Sequence, residues 1–217
     1  MDRYHFRACS ADACGLRFPA GLDQPGQELC PRCGAVTHVV EQRPPAENPA
    51  VFPAATPGFS ALLDNIRSIH NVGSMFRTAD GAGIAILHLA GITATPEHPK
   101  LAKAALGAED RVAWTYTPNA IDLALRLKRE GHTLVALEAT PEARPLFAAR
   151  APEANMSLVL VVGNERAGVD PGILRLCHCV VCLPMHGVKR SLNVAVAFGI
   201  AAYHLRFAAA LAAEGRG

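Results

Sequence analysis

The chain has 217 residues, of which 50% are hydrophobic and 18% charged, and its formal net charge is +2. This composition allows a sizeable core and excludes bulk disorder, while the balanced charge neither requires nor excludes a nucleic-acid partner. The N-terminal sequence lacks the apolar segment of a secretory signal, and the longest uncharged apolar run, Val194–Tyr203, is too short to cross a bilayer. We therefore expect a cytoplasmic protein with no membrane partner.

Four cysteines near the N-terminus have the spacing of a metal site. Cys30 and Cys33 enclose two residues, an arrangement that lets both thiolates face one tetrahedral ion. Cys9 and Cys14 form a second pair, and 15 residues separate the pairs, which suits a zinc-ribbon hairpin. Four unliganded cysteines are the alternative, but a segment of ~40 residues cannot form an adequate core without a metal ion or another cross-link. The sequence predicts a closed, structural Zn²⁺ site, which leaves no open position for catalysis.

The chain divides into three regions by composition. Residues 1–40 form the predicted zinc-ribbon-like domain, residues 41–58 are a proline-rich linker, and residues 59–217 form the main domain. Strands are predicted at Ser60–Leu63, Ile84–Leu89, Val112–Tyr116, Thr133–Leu137, Ser157–Val162 and Cys179–Leu183, and helices at Val72–Asp80, Pro99–Leu106, Asn119–Glu130 and Pro171–Cys177, with a long apolar helix from Leu192. This alternation predicts an α/β fold with a mainly parallel sheet covered on both faces.

Two loops of the main domain carry polar residues suited to binding. Asn71 is the predicted N-cap of the first helix, and Arg77 lies one and a half turns further on, where it could grip a phosphate. A capped helix with its arginine in solvent explains this segment equally well. Glu165, in the loop after a buried strand, is either an orienting acceptor or a solvated turn residue, and the latter is somewhat favoured from this loop alone.

A third loop joins the last buried strand to the apolar helix. It carries Ser191 and Asn193 directly after two cations. Helix capping is the ordinary role of such residues, yet the carboxyl end of a strand is where open α/β sheets bind ligands. The serine is not in a Gly-x-Ser-x-Gly elbow, so a hydrolase is poorly supported. Near the same strand, Cys177, Cys179 and Cys182 do not share one strand face, and buried structural cysteines are favoured over a second metal site.

Taken together, the three loops resemble the motifs of the SpoU-type (TrmH-like) RNA 2′-O-ribose methyltransferases of the SPOUT superfamily. The three matching segments are Asn71…Arg77-Thr78-Ala79-Asp80, Gly163-Asn164-Glu165-Arg166-Ala167-Gly168 and Leu183-Pro184-Met185-His186-Gly187…Ser191-Leu192-Asn193-Val194-Ala195-Val196-Ala197. The resemblance covers about Ala61 to Phe207, and the N-terminal ribbon lies outside it.

The resemblance implies a Rossmann-like fold whose C-terminal part forms a deep trefoil knot, and a homodimer with the last helix in its interface. It implies S-adenosylmethionine as cofactor and RNA, a tRNA or an rRNA, as substrate. The cofactor-binding residues would be Gly163, Leu183, Met185, Gly187 and Leu192, and the catalytic set would be Arg77, Asn71, Glu165, Ser191 and Asn193. In that set, Arg77 would activate the ribose hydroxyl, and because a guanidinium is a poor proton acceptor, electrostatic stabilisation is the easier role.

Two other classes of protein stay open. A different nucleotide-using α/β enzyme is disfavoured because neither a phosphate loop nor a dinucleotide fingerprint occurs. A non-catalytic RNA-binding module, in which the ribbon makes the contacts, is disfavoured by the full set of polar residues in the three loops.

Overall fold

The computed structural model describes residues 4–21, 26, 28–42, 58–148 and 157–214, with side chains described as far as residue 207. The chain separates into two compact units, Met1–Phe52 and Pro53–Gly217. Nearly all of the predicted linker, residues 43–57, lies outside the described residues.

The first unit is a three-stranded antiparallel sheet. Its strands are β1 (Tyr4–Cys9), β2 (Arg17–Gly21) and β3 (Thr37–Gln42), in the order β2-β1-β3. Two tight turns carry the cysteine pairs, and each ends in a glycine with positive φ: 57° at Gly15 and 74° at Gly34. A residue with a side chain would be strained in either turn.

The second unit is a seven-stranded sheet in which every described pair of neighbours is parallel. Its strands are β4 (Ser60–Asp64), β5 (Ile86–Ala90), β6 (Ala113–Thr117), β7 (Thr133–Leu137), β8 (Arg144–Pro145), β9 (Leu158–Val162) and β10 (Cys179–Cys182). Its helices are α1 (Ile69–Ala82), α2 (Leu101–Ala105), α3 (Ala120–Arg129), α4 (Pro171–Leu174) and α5 (Val194–Glu214). The strand order is β6-β5-β4-β9-β7-β10-β8, so β10 lies between β7 and β8 although both precede it in the chain.

Helices cover both faces of this sheet, as the sequence predicts. In β9, Leu158 and Leu160 are buried in the cluster that includes residues of α1, α2 and α5, whereas Val159 and Val161 are buried in the cluster that includes residues of α3 and α4. Successive side chains of a strand point to opposite faces, which is why a strand buried on both faces is a continuous apolar run.

The structure corrects the predicted start of the first helix. α1 begins at Ile69 and its N-cap is Ser68, whose hydroxyl accepts a hydrogen bond from the Asn71 N–H at 3.3 Å. Asn71 therefore lies inside the helix and is not its cap. The helix predicted at Pro171–Cys177 is also shorter, with Asp170 as its N-cap and an end at Leu174.

No helix in the described part of the chain is both long and apolar enough to span a membrane.

Candidate active site

A cleft of about 340 Å³ opens at the carboxyl ends of the central strands. Its volume lies within the range of small-molecule sites. Its walls come from the segments after β7, β9 and β10 and from the start of α5: Leu137, Glu138, Ala139, Val162, Gly163, Asn164, Glu165, Arg166, Gly168, Cys182, Leu183, Met185, Arg190, Ser191, Leu192, Asn193, Val194 and Ala197. Parallel strands deliver all these segments to one edge, which explains why loops distant in sequence meet here.

Glu165 connects the loop after β9 to the N-terminus of α1. One carboxylate oxygen, Oε2, accepts the backbone N–H of Arg67, and the other, Oε1, accepts the backbone N–H of Ser68, each at 2.9 Å. Burial by itself raises the pKa of Glu165, but these hydrogen bonds and one from the Asn71 side chain outweigh it, so the pKa is lowered overall. The carboxylate is therefore held ionised where the helix dipole favours an anion.

Asn71 joins Glu165 to the segment before α5. Its amide nitrogen donates to Glu165 Oε1 at 2.9 Å, and its oxygen accepts a hydrogen bond from the Asn193 amide at 3.0 Å. Asn193 in turn caps α5, because its oxygen accepts the N–H of Ala195 at 2.8 Å. A continuous series of side-chain hydrogen bonds therefore connects the N-termini of α1 and α5 to the wall of the cleft.

The turn after β9 is shaped by two close approaches. The backbones of Asn164 and Gly168 exchange two hydrogen bonds, of 3.0 and 2.9 Å, and a Cβ at Gly163 would overlap the backbone of Gly168. The side chain of Asn164 accepts the N–H groups of Arg166 and Ala167 and donates to the Asn65 carbonyl at 2.7 Å. Glycine at 163 is thus required by space, which lets the backbone line the cleft closely.

Most of the predicted site residues come together at this cleft. Those lining it are Gly163, Glu165, Leu183, Met185, Ser191, Leu192 and Asn193, and Asn71 is attached through its two hydrogen bonds. Arg77 and Gly187 are outside the lining. Arg77 is exposed on α1, and in the described part of the chain its side chain forms no hydrogen bond or ion pair.

Glu138 and Arg190 line the cleft but were missed as site residues. Glu138 follows a buried strand, as Glu165 does, and that position was the available indication in the sequence. Arg190 stood out as a cation of the third loop without being assigned a role.

The four N-terminal cysteines converge in the first unit. The Sγ atoms of Cys9 and Cys33 are 3.5 Å apart, those of Cys14 and Cys30 are 3.7 Å apart, and all four lie within 4.8 Å of one another. A tetrahedral zinc ion with Zn–S bonds of ~2.3 Å needs sulfur atoms about 3.8 Å apart. The arrangement fits such an ion. Across the described ranges, no second group of three or more metal-ligating side chains forms, and Cys177, Cys179 and Cys182 are each only partly buried.

Comparison with known proteins gives consistent matches for the second unit. Residues 58–203 match the model of the SpoU rRNA Methylase family. The chain is 35% identical over 147 residues to the 23S rRNA (guanosine(2553)-2′-O)-methyltransferase of Bacillus subtilis, covering 67% of this chain and 56% of that protein. It is 32% identical over 148 residues to the tRNA (guanosine(18)-2′-O)-methyltransferase of Aquifex aeolicus, covering 65% of each.

A solved structure with a related fold contains a cofactor. It is the SpoU methyltransferase AviRb of Streptomyces viridochromogenes in complex with AdoMet, with a TM-score of 0.62 and 26% identity over 82% of this chain and 66% of that one. The chain spans 56% and 65% of the lengths of the two curated relatives.

Proposed function

Because this chain belongs to the SpoU rRNA methylase family, we propose that it is an S-adenosylmethionine-dependent methyltransferase that modifies a ribose 2′-hydroxyl of structured RNA, either a tRNA or an rRNA. The observation that supports this most is the hydrogen-bonded link from Glu165 through Asn71 to Asn193 beside the cleft. It joins all three motif segments at one place. The names of the relatives agree with both RNA classes.

The cleft suits S-adenosylmethionine in size and in lining. Gly163 lets the backbone approach closely, and Leu183, Met185 and Leu192 add apolar surface for a nucleoside. When bound, the cofactor supplies an electrophilic methyl group on a sulfonium. The residues named here would hold it by backbone hydrogen bonds and apolar contact. Gly187 lies outside the described lining, and its proposed contact with the cofactor rests on the family resemblance.

Arg77 is the proposed residue that meets the RNA. Its exposed guanidinium is free to bind a phosphate bidentately and to stabilise negative charge that develops on the attacking 2′-oxygen. Ser191, exposed in the cleft wall, has a hydroxyl available to the ribose or its phosphate. Asn71, Glu165 and Asn193 already use polar atoms within the protein, so we assign them to positioning the helix that carries Arg77.

We propose that the protein forms a homodimer. Val196 and Tyr203 are 52% and 46% exposed and lie seven residues apart on α5, which places them on one face of the helix. Exposed apolar residues in such a stripe are typical of a helix that packs against another chain. We also propose the trefoil knot that the resemblance implies, supported by the insertion of β10 between two earlier strands.

The first unit is proposed to be a zinc ribbon that binds one structural Zn²⁺ through Cys9, Cys14, Cys30 and Cys33. We propose a cytoplasmic location to go with it, because thiols remain available as metal ligands in a reducing compartment.

Methyl transfer from tritiated S-adenosylmethionine to total tRNA and to rRNA tests the proposed function, with nuclease mapping of alkali-resistant dinucleotides. Label in such a dinucleotide identifies ribose 2′-O-methylation and its position. Arg77→Ala should abolish transfer while leaving cofactor affinity nearly unchanged, and Arg129→Ala, on a helix of the opposite sheet face, is the matched control. Failure of the wild-type protein to bind the cofactor would refute the proposal, and loss of cofactor binding in Arg77→Ala would refute the role of that residue.

A further inference from the structure

Glu138 is a carboxylate fixed in the wall of the cleft at the end of β7. Its Oε1 accepts the N–H of Ala139 at 3.0 Å, and its Oε2 accepts the N–H of Val169 at 2.9 Å. Gly168, with φ of 75°, makes room for it, because a Cβ there would overlap the carboxylate. The two hydrogen bonds and this close packing hold both oxygens in place before any ligand binds.

This carboxylate retains unused capacity to accept hydrogen bonds. An ionised carboxylate offers about four acceptor sites, and the two backbone N–H groups use one on each oxygen. Among the described residues, Glu138 takes part in none of the ion pairs. Each oxygen can therefore accept one more donor from a ligand in the cleft that Glu138 lines.

The position of Glu138 in the sheet indicates which part of a cofactor it meets. β7 is two strands from β4, the strand that leads into α1, with β9 between them. Adjacent strands are about 4.8 Å apart, so the end of β7 lies roughly 10 Å from the end of β4. If the methyl group faces the α1 side, where Arg77 is carried, the nucleoside half of the cofactor can extend toward Glu138.

We propose that Glu138 binds the ribose hydroxyls of the cofactor's adenosine, each carboxylate oxygen accepting one O–H. This inference rests on the proposed methyltransferase function and names a cofactor-binding residue that the sequence motifs do not include. A vicinal diol presents two donors from adjacent atoms, which matches two adjacent acceptor sites. The adenine amine presents both of its donors from a single nitrogen and makes a poorer match.

The test compares a ligand with and without these hydroxyls in the full-length protein. Binding of S-adenosylhomocysteine, 2′-deoxy-S-adenosylhomocysteine and 3′-deoxy-S-adenosylhomocysteine is measured by calorimetry for the wild type and Glu138→Gln. Hydrogen bonds to charged groups predict that the wild type binds each deoxy ligand roughly ten- to a hundredfold more weakly than the ribo ligand. Glu138→Gln should weaken the ribo ligand by a similar factor and discriminate little between the three. Glu142→Gln, an exposed carboxylate four residues further on, should behave like the wild type.

Three results would overturn the assignment. If Glu138→Gln weakens all three ligands by the same factor, the residue only shapes the loop, because the ratio between ligands is then unchanged. If the variant binds as the wild type does, Glu138 makes no contact with the hydroxyls. If the wild-type protein binds no S-adenosylhomocysteine, the proposed function fails as well, and that result is distinct from the other two.

Discussion

Asn71, Glu165 and Asn193 differ from Arg77 in what their polar atoms already do. Glu165 accepts three hydrogen bonds from the segment around the start of α1, and Asn193 caps α5. A group whose acceptors are occupied in this way is a poor proton carrier but a good anchor. Arg77, exposed and unpaired in the described part of the chain, is the residue with capacity left for a substrate.

The anchoring role of Glu165 predicts a pH-dependent contribution to stability. The folded state lowers the pKa of this carboxyl below its ordinary value of 4.5. Its contribution is therefore fully present above the unfolded value and is lost as the pH falls through the folded one. Glu165→Gln should cost about 1 kcal/mol of unfolding free energy near neutral pH, a small figure because the site is exposed. The cost should shrink toward zero in acid.

Urea unfolding followed by the fluorescence of Trp114, the single tryptophan, measures this in the second unit. Glu142→Gln serves as the control, since its carboxylate is exposed on a loop. A cost for Glu165→Gln that stays constant across the acid range would mean that ionisation of the carboxyl does not anchor α1.

At the scale of elements, β5 and β6 are joined by a buried histidine. His88 on β5 is 7% exposed, and its Nδ1 lies 2.9 Å from the Thr115 hydroxyl on β6. Burial lowers the pKa of His88 from 6.5 to about 4, and the nearby charges of Arg126 and His132 act in the same direction. The imidazole of His88 is therefore neutral in the folded sheet at neutral pH.

This neutral histidine predicts acid sensitivity between pH 6.5 and about 4. In that window His88 is protonated in the unfolded chain but not in the folded one. The free energy of unfolding therefore falls as the pH falls, by up to about 1.4 kcal/mol per pH unit. His88→Gln should flatten the pH dependence of unfolding in this window, and His70→Gln, at an exposed position of α1, should not. An unchanged slope in His88→Gln would show that another group governs the acid response.

The elements that the sequence predicted best are those determined locally. The strands Thr133–Leu137 and Cys179–Cys182 are apolar and β-branched runs that could be read directly. The start of α1 could not, because Ser68 and Asn71 are both good caps by local chemistry. The contact that distinguishes their roles is the hydrogen bond from the Ser68 N–H to Glu165, which is 97 residues away in the sequence. Glu138 was missed for the same reason, since its partner Val169 is 31 residues away.

At the scale of the whole molecule, the two units differ in what stabilises them. The second has a large apolar core on both faces of its sheet. Among the described residues of the first, the buried apolar ones are Cys9, Ala20 and Cys30, so the cysteine cluster makes up most of the interior that is described. A core this small needs a metal or another cross-link to be stable. Loss of metal should therefore unfold the first unit without unfolding the second.

Cys30→Ser tests this dependence, with Asp12→Ser as the control because it changes an exposed residue between two cysteines without removing a ligand. The wild type and the control should contain about one zinc ion per chain, and Cys30→Ser should lose most of it. Cofactor affinity and the Trp114 unfolding transition should be unchanged in the variant, because both belong to the second unit. If the ribbon contacts RNA, RNA binding should weaken more than cofactor binding. Unchanged zinc content would refute the metal site, and zinc loss with unchanged RNA binding would mean that the ribbon serves a different partner.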